Sequence, residues 1–226
     1  VLPNFTAVTA LIALPVGLLA LIWLGTLRFG KPRAHLSLAF VGAFLLMLAF
    51  GAANAGIAAL SDGVGSAWTT GNLHVVAFGP SILVGLAALN HWAPKMWGRS
   101  LGAGLAAAQL ALFTGGFLLL GLGSYLLGYD GGPWHVDDLT QSSWINFSRM
   151  SAAGGILVVV GVLVLAWSLL AAARGQGEAA SGDPYEGLTL EWAITHPLAA
   201  HNFDSLPVVR SSTPLADARA SNGEPA

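Results

Sequence analysis

Five stretches of this sequence run for close to 20 residues or longer with almost no Asp, Glu, Lys or Arg. As helices, each is long enough to cross a hydrocarbon core of about 30 Å. The charges that do occur are gathered between these stretches, and at 9% of the chain against 55% hydrophobic residues they are too few to cover a water-soluble surface. The bilayer is therefore the solvent, and the expected fold class is all-α: a polytopic membrane helix bundle with five transmembrane helices.

The first span runs from about Phe5 to Leu27 and is closed by Arg28, Lys31, Pro32 and Arg33. The second runs from about Leu36 to Leu60. The third, about His74 to Trp92, follows the loop Ser61 to Gly71 and is stopped at Pro94-Lys95, because proline lacks the amide donor and disfavours helical geometry before it. The fourth covers about Leu101 to Leu127 and the fifth about Ser151 to Ala173. From Arg174 the chain turns polar and rich in Pro, Ser, Asp and Glu. This divides it into a five-helix transmembrane domain, 1–174, and a cytoplasmic, largely extended or disordered tail, 175–226.

Orientation follows from the basic residues, since cytoplasmic loops carry the Lys and Arg excess. Arg28, Lys31 and Arg33, then Lys95 and Arg99, then Arg174 fall on one side. The second loop has none, and the fourth has only Arg149 against Asp130, Asp137 and Asp138. The amino terminus is expected outside and the carboxy terminus inside. The opening Val1-Leu2-Pro3-Asn4 has no Met and no basic n-region, and the first apolar run is too long for a signal-peptide core. That is the pattern of a start inside a larger protein, or of a processed one.

Several classes are excluded at this level. A net charge of -2 offers no basic field for nucleic acid. The absence of cysteine removes disulfides, iron-sulfur clusters and thiolate metal sites. Gly- and Ala-rich runs such as Gly51-Ala52-Ala53-Asn54-Ala55-Gly56 and Gly102-Ala103-Gly104 are read as close helix packing.

The stretch Phe5-Thr6-Ala7, Pro15, Gly17 and Trp23-Leu24-Gly25-Thr26-Leu27 resembles the eighth helix of subunit I of haem-copper respiratory oxidases. His74, followed at the family's spacing by Trp92-Ala93-Pro94-Lys95-Met96-Trp97-Gly98-Arg99, resembles the end of its tenth helix. The tail Asp183-Pro184-Tyr185-Glu186-Gly187-Leu188-Thr189-Leu190-Glu191-Trp192, with His201-Asn202-Phe203 and Leu206-Pro207, is similar to the carboxy terminus of bacterial subunit I. In that family, helices eight to twelve complete a twelve-helix bundle that holds two haems and a copper, reduces oxygen and pumps protons.

The resemblance places His74 at an axial ligand position of the low-spin haem, where a neutral imidazole suits iron. At the position of the histidine that binds the high-spin haem stands Asn72, whose amide nitrogen has no free lone pair. The family's proton-uptake lysine corresponds to Leu19 and its neighbouring hydroxyl to Val16; neither can relay a proton. The paired arginines that clamp haem propionates fall near Leu127 and Gly128, and the His-Asp pair before helix ten near Val64 and Gly65. The copper ligands belong to earlier helices. His91 is read as a capping or packing residue; His35, His135, His196 and His201 sit in loops or tail at no metal-ligand spacing. Trp68, Trp92, Trp97, Trp134 and Trp144 are read as interfacial aromatics.

The resemblance therefore implies a component of an aerobic respiratory oxidase complex in the bacterial cytoplasmic membrane. It is expected to be degenerate and structural, with no catalytic residue, no binuclear centre and no metal site of its own. It would bind no cofactor alone, or at most one low-spin haem through His74. Its partners would be the lipid bilayer and other oxidase subunits, including a chain supplying the missing amino-terminal helices. The alternative is half of a split or longer catalytic subunit I that contributes a haem ligand to oxygen reduction. A small-solute transporter is disfavoured, because no ionisable residue lies near mid-membrane in any span.

Overall fold

The computed structural model describes residues 3–30, 32–60, 64–133, 141–195, 201–203 and 208–221, with the side chains of 3–14, 16 and 59 excepted. The expectations placed on Lys31, Asp137, Asp138, Trp134, His135, His196, Leu206 and Pro207 lie outside the described residues. Among the described residues the elements are helical, and the only extended pairing is an isolated antiparallel bridge between Arg99 and Ala179.

The chain separates into two units, 1–35 and 36–226. The first is the helix α1, Pro3–Phe29, with Pro15 inside it. Its described apolar side chains are open, Leu18 to Leu24 among them. The helix closes where the Gly30 amide donates to the Thr26 carbonyl at 2.9 Å.

The second unit contains α2 (Leu36–Ala59), α3 (Ala67–Asn72), a π-helical segment (Leu73–Phe78), α4 (Gly79–Trp97), α5 (Ala103–Tyr129) and α6 (Ser142–Ala173). α3, the π segment and α4 are continuous. Among this unit's described residues four helices are long and apolar enough to cross a membrane: α2, the continuous 67–97 run, α5 and α6. Of α1, the described stretch Gly17–Phe29 is apolar but shorter than a full span.

Three boundaries differ from the sequence-based expectation. The third helix starts at Ala67, so that His74 lies two turns inside it and not at its start. It also runs through Pro94 to Trp97 and stops at Gly98, which adopts a left-handed conformation with φ 65. Pro94 is tolerated in the last turns of a helix packed against neighbours, and the left-handed glycine is the actual stop. α6 likewise begins at Ser142, two to three turns before Ser151.

The π segment has a local cause. Pro80 has no amide to give to the carbonyl four residues back, and its ring crowds that turn. The helix widens just before it, and the Gly79 amide donates to the His74 carbonyl, five residues back. Such widened turns are frequent at functional sites.

The core is built from Phe40, Ala43 and Met47 of α2, Leu83, Leu86 and Ala87 of α4, and Ala106, Phe113 and Phe117 of α5. The longest seam joins α5 and α6. There a Cβ on Gly154 would stand 2.6 Å from the Gly116 carbonyl oxygen, so the two backbones touch. In lipid, where apolar side chains gain little by leaving the solvent, this close approach is what holds helices together. The Ser151 hydroxyl adds a bond across the seam to the Leu120 carbonyl at 3.1 Å.

Within the tail, residues 190–192 form one turn of 3₁₀ helix and Pro214–Ser221 form α7. The segment between Asp183 and Ile194 lies against the ends of α2 and α4. Lys95, only 1% exposed, donates from Nζ to the carbonyls of Gly182 (3.2 Å), Trp192 (3.0 Å) and Ile194. His91 stacks on Tyr185 with ring centroids 4.4 Å apart, and Trp92 stacks on Trp192 at 5.4 Å.

Candidate functional site

The positions to which the resemblance assigns haem chemistry collect at one end of the second unit, where α3 crosses α5 beside the end of α2. Three helices each contribute a pair of polar or aromatic residues one turn apart: Phe50 and Asn54, Trp68 and Asn72, Tyr125 and Tyr129. They interlock. The Tyr125 hydroxyl donates to Asn72 Oδ1 at 3.2 Å, and its ring, with no exposed surface, stands edge-on to Phe50 and tilted against Trp68 at 5.9 and 5.7 Å. The Tyr129 hydroxyl donates to the Asn54 carbonyl at 3.1 Å and accepts from Trp68 Nε1 at 3.3 Å. Asn54 in turn donates to the Phe50 carbonyl at 2.9 Å.

Asn72 thus holds a specific partner. Its oxygen is engaged by Tyr125, and its nitrogen offers no lone pair, so the residue does not fit a haem iron in place of histidine. The positions at the neighbouring helix ends behave alike. Gly65, near which the resemblance implies a His-Asp pair, donates its amide to the carbonyl of Gly128 at 2.7 Å, and the Ala67 amide donates to the Gly132 carbonyl at 3.2 Å. A Cβ on Gly128 would stand 2.5 Å from the Trp68 nitrogen. No side chain, and least of all an arginine, has room at that position. Leu127 beside it is buried.

His74 faces differently. It is half-buried on the π segment, one residue beyond Leu73, with its ring centroid 6.1 Å from that of Phe78. Its Nδ1 is buried and makes no hydrogen bond of ordinary geometry, although the Thr70 backbone lies one turn back. A neutral imidazole so placed fits one axial bond to a haem iron. Nothing else among the described residues joins it: no group of three or more His, Asp or Glu could hold a metal ion there.

The remaining candidates are dispersed. Leu19 is 57% exposed on α1, and the Val16 side chain lies outside the described residues. Val64 is half-buried, and His35 and His201 are exposed. His91 is packed among Tyr185, Trp92 and Trp192. Trp92 and Trp97 remain over a third exposed, whereas Trp68 belongs to the cluster and Trp144 is half-buried.

The Tyr–Asn cluster and the role of Lys95 are not among the sequence-based expectations. A signal for the cluster exists in the one-turn spacing of its three pairs, but nothing in the sequence says that the three pairs meet. Outside the spans, Tyr185 is the group with a shifted titration: burial pushes its phenol above 10.0, partly offset by a hydrogen bond with Ser37.

The chain is similar to known proteins along most of its length. The sequence model of the family described as Cytochrome C and Quinol oxidase polypeptide I matches residues 1–157. Cytochrome c oxidase subunit 1 of Bacillus sp. (strain PS3) is 30% identical over 213 residues, which cover 91% of this chain and 34% of that protein. The probable cytochrome c oxidase subunit 1-beta of Nocardia farcinica is 28% identical over 222 residues, 94% of this chain and 37% of that one. Cytochrome c oxidase subunit 1 of Corynebacterium diphtheriae is 28% identical over 222 residues, 94% of this chain and 39% of that one. The chain spans little more than a third of the length of these curated relatives. With more than half of its residues matching the family pattern, and with apolar helices of membrane-spanning length, this chain belongs to the oxidase polypeptide I family of haem-copper oxidase components.

Proposed function

We propose that the chain is a structural, subunit I-like component of a respiratory haem-copper oxidase complex in the bacterial plasma membrane, and that it builds no oxygen-reducing binuclear centre. Five spans would carry it across the bilayer with the amino terminus outside, and residues 175–226 would lie on the cytoplasmic side. The observation that carries the reading is the hydrogen bond between Tyr125 and Asn72. The residue that would have to ligate the high-spin iron is instead part of a closed cluster, and the cluster stabilises the crossing of α3 and α5. The further helices of a complete subunit, and any copper, would come from partner polypeptides.

A second reading is favoured by His74. A buried Nδ1 and a half-buried ring on a π segment suit a ligand residue. In that reading the chain is half of a split or longer catalytic subunit, and His74 supplies one axial ligand of a six-coordinate low-spin haem. Bound there, the haem would supply electron transfer; the chain would hold and orient one imidazole.

Extraction from the native membrane in mild detergent, followed by mass spectrometry and a visible spectrum of the same fraction, tests both. The proposed component is expected to travel with other oxidase subunits and to add no haem of its own. A monodisperse haem-free monomer would count against membership of a complex. A high-spin haem bonded through a residue of this chain would overturn the structural reading.

A further inference from the structure

α4 and α6 end at the same end of the bundle, where Ala93, Leu101 and Ala172 form a small buried cluster with Leu89 and Leu169 packed on it. Beyond the helix ends, the Ser100 amide donates to the Glu178 carbonyl at 3.0 Å and the Ala180 amide to the Gly98 carbonyl at 3.1 Å, which ties the two connecting segments together. Between the helix ends lies a cavity of about 580 Å³. Met96, Trp97, Leu169, Ala172 and Ala173 form its apolar side, and Arg99 and Gly175 its polar side.

Helix carboxy-terminal ends carry partial negative charge, so an arginine here could simply neutralise them. That role is largely filled already. The Leu170, Ala171 and Ala172 carbonyls accept from the amides of Arg174, Gln176 and Gly175 at 2.9 to 3.0 Å, and Pro94 accepts from Gly98 at 2.9 Å. Arg99 spends one donor, Nη1, on the Gly177 carbonyl at 2.7 Å. A guanidinium has five. Neither Arg99 nor the exposed Arg174 forms an ion pair among the described residues, and the nearby Glu178, also exposed, pairs with neither. Gly175, at φ 75, keeps the guanidinium face open: a Cβ there would stand 3.7 Å from Arg99 Nη2.

We propose that this cavity binds an anionic phospholipid, with the phosphate on Arg99, Arg174 adding positive charge, and an acyl chain along Trp97, Leu169 and Ala172. The apolar wall, the interfacial tryptophan and unpaired guanidinium at the end of two spanning helices match the two halves of such a lipid. A zwitterionic lipid brings its own cation to the same place and gains less. The site goes beyond the proposed function and does not depend on haem content.

The test uses the full chain in phosphatidylcholine vesicles doped with brominated phosphatidylglycerol or, separately, brominated phosphatidylcholine, since bromine quenches tryptophan on contact. Brominated phosphatidylglycerol is expected to quench more, and Trp97→Phe to remove the excess. Arg99→Gln should weaken the relative association of phosphatidylglycerol about fivefold. Arg174→Gln, at an exposed side chain with no bond to lose, should weaken it in the same direction without disturbing the fold. Equal quenching by the two lipids, or an excess that both arginine variants retain, overturns the proposal. So does recovery of Trp97 emission on adding inorganic phosphate, which would mark a site for free anion and not for lipid.

Discussion

The amide of Gly65 donates to the carbonyl of Gly128 at 2.7 Å, 63 positions along the chain. Two glycines far apart in the sequence, one before the third helix and one at the end of the fourth, are thus two sides of a single contact. Near the positions where the resemblance implies an arginine clamp and a His-Asp pair, this chain brings backbone against backbone. The closure also fixes the crossing of α3 and α5 that presents Asn72 to Tyr125.

Replacement of Gly128 by alanine should therefore be felt strongly for one methyl group. The new Cβ would meet the Trp68 nitrogen at 2.5 Å, and backbone cannot yield as a side-chain tip can. The expected cost is about 1 to 3 kcal/mol, read as a lower thermal midpoint in detergent. The same change at Gly85, where a Cβ meets nothing within 4 Å, should be silent.

Tyr125→Phe keeps the ring contacts with Phe50 and Trp68 and removes only the bond to Asn72. A loss of about 1 kcal/mol is expected. Asn72→Ala leaves the buried Tyr125 hydroxyl without an acceptor and should cost at least as much. Combining the two should cost less than their sum, because both remove one interaction. A strictly additive double variant in a thermal-shift assay would show that the bond contributes nothing.

The apolar helices were legible because apolar length is a one-dimensional property of the chain, and charge clustering marks their ends. The start of the third helix was not legible: Trp68, Thr69 and Thr70 lower the local hydropathy, but Ala67 and Gly71 are buried against α5 and tertiary packing extends the helix. Proline misled at Pro94: the helix, packed against its neighbours, runs through it to Trp97 and stops only at the left-handed Gly98. Asn72 could be recognised as unfit for iron from its side chain alone. That it is satisfied by Tyr125 depends on a helix crossing that no local pattern encodes. Lys95 read as one more charge at a membrane boundary, yet it is buried beneath three carbonyls of the tail.

That burial makes Lys95 the main pin of the segment Asp183 to Ile194. Lys95→Met keeps much of the side-chain volume but removes three charge-assisted bonds, at a cost of about 2 kcal/mol or more. Limited chymotrypsin digestion should then cut at Tyr185 and Trp192 at least tenfold faster. Alkaline pH should loosen the same segment. Burial raises the Tyr185 phenol above 10.0, so its contribution is complete below that value and is lost as pH climbs through the raised one. Phenolate absorbance and Trp192 emission should change together on the alkaline side and stay flat through neutrality.

Single cysteines test the orientation. Ser66 and Ser181 are both exposed, on opposite sides of the membrane if the basic residues set the topology. An impermeant maleimide added to intact cells should label cysteine at Ser66 and leave cysteine at Ser181 unmarked until the membrane is opened. Labelling of the second alone would invert the arrangement.

The last expectation separates the two functional readings at neighbouring residues. Asn72→His restores the residue type that the high-spin iron would need, but the new imidazole would stand where the Tyr125 hydroxyl now finds its acceptor, beside a crossing closed by Gly65 and Gly128. With position 128 closed to any side chain, since a Cβ there meets the Trp68 nitrogen at 2.5 Å, that position cannot supply an arginine to hold propionates, and one added ligand does not make a site. The haem content of the purified complex should be unchanged, measured as a pyridine haemochrome. His74→Ala acts on the other reading. If His74 is a packing residue, the reduced spectrum of the complex keeps its low-spin band; if it is an axial ligand, that band is lost or shifts to a high-spin form while the subunit composition stays the same. Loss of the band in His74→Ala, with retention in Asn72→His, would move the chain from a structural component to a contributor of one haem ligand. A new high-spin band in Asn72→His would show that the closed crossing still leaves room for a second haem.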